Sequence, residues 1–371
     1  MSSPAPLILV LNAGSSSVKY AVFRGADRVL SGHRERLASG GHTGAVQKLL
    51  EELPTRFPGE AVVAVGHRVV HGGDRYTSPV MVTPTVLADL DRLIPLAPLH
   101  EPHNLDGIRT VAAAWPSVPQ VACFDTAFHT TMPDCERRLA LPRRYHDAGV
   151  KRYGFHGLAY ESVLAQIRLL APDLAEQRII ACHLGNGASL CAIHHGQSVA
   201  TTMSFTPLDG LVMGTRPGHL DPGVIIYLLR TCGLRLDQLE TLLNRESGLL
   251  GVSGLSGDMR DLLASAAPAA QEAVELFCYR VVREIGAMAA ALQGVDVLTF
   301  SGGIGEHAVA VRQRILSALS WLGVTFQPEP SRAHDQPLHA PGSRVAVYCI
   351  PTDEEAVIAS HVRGVLGVSA G

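Results

Sequence analysis

The same short pattern occurs twice in this 371-residue chain: an apolar strand, a turn of glycine and small polar residues, and a second apolar strand. Near the start, Leu7–Leu11 runs into Asn12-Ala13-Gly14-Ser15-Ser16-Ser17 and then Val18–Phe23. Near the middle, Ile179–Cys182 runs into His183-Leu184-Gly185-Asn186-Gly187-Ala188-Ser189 and then Leu190–Ile193. Glycine lets backbone approach an anion closely, and successive N–H groups with serine hydroxyls form a phosphate-sized concavity. Two such hairpins imply two related half-domains, each offering a loop to a polyphosphate. Two ordinary hairpins with serine turns would leave the same trace.

A chain of this length exceeds one typical core, so two domains are expected. With 47% hydrophobic and 18% charged residues the composition is that of a globular protein. A formal net charge of −3 gives no reason to expect nucleic acid or an anionic membrane as a partner. The seven scattered cysteines include no C-x-x-C pair, which fits a reducing cytoplasm better than a disulfide framework or a zinc site. No signal-peptide pattern opens the chain, and no apolar run reaches about 18 residues. Only three lysines occur, so most positive charge is arginine and Lys19, beside the first turn, stands out.

Strands and helices alternate along the rest of the chain. A helix around Val46–Leu53 precedes a strand, Ala61–Val65, that ends in Gly66-His67-Arg68-Val69-Val70-His71-Gly72-Gly73. A strand at Gln120–Phe124 ends in Asp125, and a Pro/Arg-rich passage, Pro133–Arg152, reads as a crossover between halves. Helices are predicted at Ala159–Leu170, Pro222–Thr231, Leu236–Asn244 and Ala269–Leu292. A strand at Val295–Phe300 leads into the glycine turn Gly302-Gly303-Ile304-Gly305-Glu306, expected to open a helix near Ala308. The last strand, Arg344–Ile350, leads into Pro351-Thr352-Asp353-Glu354-Glu355 and a terminal helix. Polar residues gather at carboxyl ends of strands, where ligands bind in open α/β sheets. The pattern is α/β, with mixed sheets because of the hairpins.

The chain has no G-x-x-x-x-G-K-[ST] loop, so it is not a Walker-type NTPase. Its motifs NAGSSSVK, GHRVVHGG, APLH, FDTAFH, YGFHG, HLGNGAS, TPLDGLVMGTRPGHLDPG, SGDMR, SGGIGE and PTDEE run in order over nearly the whole length. Together they resemble the acetate kinase family of the acetokinase–sugar kinase–Hsp70–actin superfamily. That resemblance implies two duplicated ribonuclease H-like (actin/Hsp70-type) domains with mixed sheets and a cleft between them. Domain I would be residues 1–130 plus a C-terminal helix at 355–371. Domain II, for nucleotide binding and dimerisation, would be residues 131–354. The implied reaction is reversible, ATP-dependent phosphorylation of acetate to acetyl phosphate by direct in-line transfer.

Such a reaction spreads negative charge over equatorial oxygens, so positioning and charge stabilisation dominate. A carboxylate nucleophile is already ionised at neutral pH and needs a cation to hold it rather than a base. By resemblance Arg68 and Arg216 supply that charge, with a guanidinium fork that matches carboxylate and phosphate. The resemblance places His156 on the phosphoryl group in flight and gives Asp125 an essential role, which the chemistry reads as orienting Arg68 or a metal-bound water. Val70, Leu99, Phe155 and Pro207 match the lining of the acyl pocket, although each is also an ordinary core residue type. Ser15, Ser17, Lys19, His183, Leu184, Gly185, Asn186 and Gly187 would face the polyphosphate. Asp258, Met259, Arg260, Gly302, Gly303, Ile304, Gly305 and Glu306 resemble the adenosine site. Asn12 and Glu354 match the ligands of Mg²⁺ (or Mn²⁺).

Three residues depart from the family pattern: Pro217 and His219 beside Arg216, and Asp353 where the family has Asn. Asp353 either adds charge beside the metal or is merely solvated. The expected partners are acetate or propionate and ATP/ADP, within a cytoplasmic homodimer. Two other readings remain open, a propionate or butyrate kinase on the same fold and a non-catalytic nucleotide-gated binding module.

Overall fold

A computed structural model describes residues 6–14, 17–35, 41–327 and 337–367. The chain divides into two compact units, Met1–Thr130 with Asp353–Gly371 and Thr131–Thr352.

The first unit holds a six-stranded sheet. Its strands are β1 (Leu7–Ala13), β2 (Ser17–Arg24), β3 (Asp27–Glu35), β4 (Val62–Val69), β5 (Val80–Met81) and β6 (Gln120–Phe124), in the order β3-β2-β1-β4-β6-β5. β1, β2 and β3 form an antiparallel meander, while β4 pairs parallel to both β1 and β6. Every residue of β1 is buried, as a strand covered on both faces requires. Leu7, Leu9 and Leu11 pack with Val46, Leu49, Leu50 and Leu53 of the helix Gly41–Arg56. Across β4, the helix Glu354–Leu366 lies so close that a Cβ on Gly66 would sit 2.5 Å from Ile358 Cγ2 and 2.7 Å from Val362 Cγ2. A glycine is therefore required at that point of the strand.

The second unit repeats the arrangement. Here β7 (Ile179–Leu184), β8 (Ala188–His194) and β9 (Gln197–Thr201) form the meander, and β10 (Val297–Ser301) and β11 (Ala346–Cys349) extend it in the order β11-β10-β7-β8-β9. β10 runs parallel to β7 and β11 parallel to β10, as β4 and β6 do in the first sheet. The two hairpins noticed in the sequence are thus equivalent central elements of two sheets with one topology, a duplicated ribonuclease H-like α/β fold. The 25-residue helix Pro268–Leu292 buries Ala270, Val274, Phe277, Val281, Ile285 and Leu292 against the second sheet. No described helix is long and apolar enough to cross a membrane.

Four local expectations change. Arg68 lies inside β4, not beyond it, because the strand continues through polar residues that find partners: His67 meets Gln120 at 2.7 Å and Arg68 meets Asp125. The glycine motif Gly302–His307 is itself a short helix with Ser301 at its N-cap, and not a turn, while the helix expected near Ala308 follows it as Val309–Ser317 with Ala308 at its N-cap. The passage Pro133–Arg152 carries two helical turns, Asp134–Arg137 and Arg143–Asp147, and belongs to the second unit. The helix begun at Leu236 ends at Thr241 and gives way to a π turn over Leu242–Glu246.

Candidate active site

In the first unit the ends of β1, β4 and β6 bring four polar side chains together. Arg68 donates through Nε to both carboxylate oxygens of Asp125, each at 3.1 Å, and through Nη2 to Oδ2. Its Nη1 donates to Asn12 Oδ1 at 3.3 Å, and Asn12 Nδ2 donates to Glu354 Oε2 at 3.1 Å. Glu354 Oε2 also lies 3.9 Å from Arg68 Nε. Burial disfavours the charge on Arg68, but the carboxylates of Asp125, Glu354 and Glu355 outweigh it and hold the guanidinium protonated. Asp125 is 1% exposed, so a bidentate, desolvated pair fixes the fork of Arg68 in one orientation. Asp353, which the sequence leaves between two roles, caps the helix Glu354–Leu366 by accepting from Ala356 N–H at 2.9 Å and pairs with Arg28.

Beside this cluster Glu101 is fully buried. One oxygen accepts the His71 N–H at 3.2 Å and the other has no hydrogen-bond partner. Burial pushes its pKa up to about 8, with Asp125 adding to the effect. The folded state therefore favours the neutral acid, and the unfolded chain, titrating near 4.5, releases the proton first. Stability from this group is highest below about pH 4.5 and falls as pH rises towards 8. Glu101→Gln keeps an acceptor for His71 and removes the ionisation. Its unfolding temperature is expected to gain on the parent's steadily from pH 5 to pH 8; a constant difference across that range would contradict the buried acid.

In the second unit, His156, His183 and Arg216 surround the Gly185–Gly187 turn between β7 and β8. A Cβ on Gly187 would lie 2.8 Å from Arg216 Nη2 and 3.4 Å from His156 Nε2, so both side chains come close over this glycine. His156 stands at the N-cap of the helix Gly157–Leu170 with a left-handed φ of 61°. That conformation costs a non-glycine residue about 1 kcal/mol or more. Its Nδ1 contacts Ser189 Oγ at 2.9 Å, and Ser189 also bonds the buried Tyr160 hydroxyl. This leaves Nε2 directed at the turn. The His156 and His183 rings lie 4.8 Å apart, and His183 Nδ1 contacts Ser301 Oγ at 3.1 Å.

Arg216 differs from Arg68. Its Nη1 donates to the Pro207 carbonyl at 2.8 Å, and burial alone pushes its pKa down to about 10. Among the described residues no carboxylate lies against it, so its charge is desolvated without an acid to offset it. The loop that carries it is tied down by backbone hydrogen bonds. Gly214 N–H donates to Asn186 O, and Ser247 and Leu249 N–H groups donate to Thr215 O and Met213 O. His219 is exposed, 3.7 Å from Asp209.

Next to this turn lies a cavity of about 490 Å³. Of the residues predicted for a nucleotide, Gly185, Asn186, Asp258, Met259, Arg260, Gly303 and Ile304 line it. The others do not. Leu184, Gly302 and Gly305 are buried in the backbone beneath, and Glu306 turns back to accept the Gly302 N–H at 2.9 Å. Gly187 lies against Arg216 and His156, and the His183 ring lies against that of His156. Ser17 begins β2 and Lys19 is exposed on it, paired in register with Asn12; both belong to the first unit, and Ser15 lies outside the described residues. The acyl-pocket set is divided. Val70 is buried and Leu99 half-buried in the first unit, while Phe155 is buried and Pro207 half-buried in the second.

Residues 29–360 match the family model described as the Acetokinase family. The chain belongs to the acetokinase family. An acetate kinase of Methylocella silvestris is 46% identical over 97% of this chain and 98% of that protein. One of Rhodopseudomonas palustris is 47% identical over 96% of this chain and 97% of its own length. Among solved structures, acetate kinase of Porphyromonas gingivalis superposes with a TM-score of 0.89 at 38% identity, covering 98% of this chain and all of that one. A propionate kinase of Francisella tularensis also gives 0.89, at 35% identity, with 96% and 98% covered.

Several residues around this acetokinase site escaped the sequence reading. Gly257, Leu263, His307 and Ala308 complete the cavity wall, Ser189 and Tyr160 support His156, and Glu101 and Asn104 support β4. Two of these carried a signal: Gly257 as part of the SGDMR motif, and His307 as a polar residue directly after the glycine motif.

Proposed function

We propose that the chain phosphorylates acetate with ATP, reversibly, giving acetyl phosphate and ADP. The observation that carries the mechanism is Arg216, a half-buried arginine with no described carboxylate against it, facing the same glycine turn as His156 Nε2. In this reading Arg68, aimed by Asp125, holds the acetate carboxylate. Arg216 and His156 stabilise charge on the equatorial oxygens of the phosphoryl group, as donors set in place before reaction. No residue needs to act as a base, because the nucleophile arrives ionised. The adenosine lies in the cavity of the second unit, against Gly303, Ile304 and Asp258–Arg260. Val70, Leu99, Phe155 and Pro207 are the residues assigned to acyl-chain selectivity in this reading.

The donor set at the end of β1 suits Mg²⁺, whose sparse protein shell takes one or two hard oxygens. Glu354 offers a carboxylate, 18% exposed at its side chain, and Asn12 an amide oxygen. Bound there, the ion would offset charge on the phosphate oxygens. Exposed Val224, Ile226 and Tyr227 on the helix Pro222–Arg230 support a homodimer packed through the second unit.

The test is a panel of acetate, propionate and butyrate with ATP, following acyl phosphate by hydroxamate trapping. The largest kcat/KM is expected for acetate, with each added methylene costing about 1–3 kcal/mol. The similarity to a propionate kinase supports a second reading. A preference of more than about tenfold for propionate would establish it. Nucleotide binding without acyl phosphate formation from any acid would instead leave a nucleotide-gated binding module.

A further inference from the structure

The helix Glu101–Ala114 enters the first unit beside two separate segments. One is the end of β4 and its continuation, Arg68 to His71. The other is the end of β1 and the start of its turn, Ala13-Gly14. Asn104, 1% exposed, bonds to both at once: its Oδ1 accepts the Val70 N–H at 3.0 Å, and its Nδ2 donates to the Ala13 carbonyl at 2.7 Å. Backbone partners fix these directions, so the amide orientation is unambiguous. Neighbours on the same helical turn reinforce both attachments. Glu101 accepts the His71 N–H, while His103 stacks at 4.3 Å on His42, whose Nε2 contacts the Gly14 carbonyl at 2.8 Å.

We infer that Asn104 is a positioning residue that ties the Arg68–Val70 segment to the Ala13–Gly14 turn. This rests on the acetate kinase reading, in which the first segment serves acetate and the second the polyphosphate. An amide is the side chain suited to the position, because it supplies one acceptor and one donor two bonds apart. Losing it leaves a buried N–H and a buried carbonyl to find new partners, which moves both segments.

The experiment measures KM for acetate and for ATP, kcat and the unfolding temperature of Asn104→Ala and Asn104→Asp beside the parent enzyme. Asn104→Ala removes both bonds, and both KM values are expected to rise about tenfold. Asn104→Asp keeps the acceptor for Val70 and replaces the amide donor to Ala13. Its KM for ATP should rise about as much, with KM for acetate within about twofold of the parent's. A residue that only holds the fold together would lower the unfolding temperature and leave both KM values alone, and that result overturns the inference. So does failure of both variants to fold, which would make Asn104 a stability element. The parent enzyme separates the two levels: if it forms no acetyl phosphate, the reaction is wrong, whereas an active parent with unmoved KM values removes only the role of Asn104.

Discussion

Arg216→Ala is expected to lower kcat by about 10³-fold or more while changing ATP affinity by less than about threefold. The asymmetry follows from where the guanidinium lies. It stands over the Gly187 turn beside His156 Nε2 and is not among the residues that line the 490 Å³ cavity. A group placed there meets charge that develops during transfer and does little for the adenosine. Its desolvation matters too. Burial already pulls its pKa down to about 10, so an anion that approaches gains more from it than from a hydrated arginine. Steady-state kinetics with a separate nucleotide-binding titration decide the matter; an unchanged kcat removes Arg216 from the mechanism.

Asp125 variants should show the second large effect, by a different route. Asp125→Ala leaves Arg68, whose side chain is 16% exposed, without its bidentate partner. Breaking such a pair costs about 3–5 kcal/mol of stability. That is an upper bound here, because Asn12 Oδ1 and Glu354 remain within reach of the guanidinium. With the fork free to turn, kcat/KM for acetate is expected to fall by about 10²-fold or more. Asp125→Asn is the sharper probe of mechanism. It keeps the shape and one acceptor, and if Asp125 only aims Arg68, the rate of the variant is expected to stay flat from pH 6 to 8. A titration step in that window present in the parent and lost in the variant would mark Asp125 as a base.

Elements with strong local signals were legible in the chain. The buried runs of β1, β7 and β10 and the 3.6-residue period of Pro268–Leu292 appear where the sequence placed them, within a few residues. β3 and β9 did not stand out, because DRVLSGHRE and QSVAT belong to strands at the outer end of each meander and mix polar with apolar residues. The helix Glu101–Ala114 was hidden by Pro102 and Gly107, and with it went Glu101 and Asn104. The glycines of Gly302–Gly305 read as a turn because glycine is a poor helix former, yet they open the short helix Gly302–His307, entered through the left-handed Gly302.

What the sequence determined by itself was the pair of hairpins, the alternation of elements and the motif order that marks an acetokinase, since these depend on residues close together along the chain. The tertiary structure decided the partners. Asn12 reaches Glu354 across 342 positions and Arg68 reaches Asp125 across 57, because β1, β4 and β6 lie side by side and the last helix returns to the first sheet. Which arginine is neutralised by an acid and which is not depends on those neighbours. Charge and desolvation act through space over a few ångströms, and distance in space is the quantity that a one-dimensional pattern does not carry.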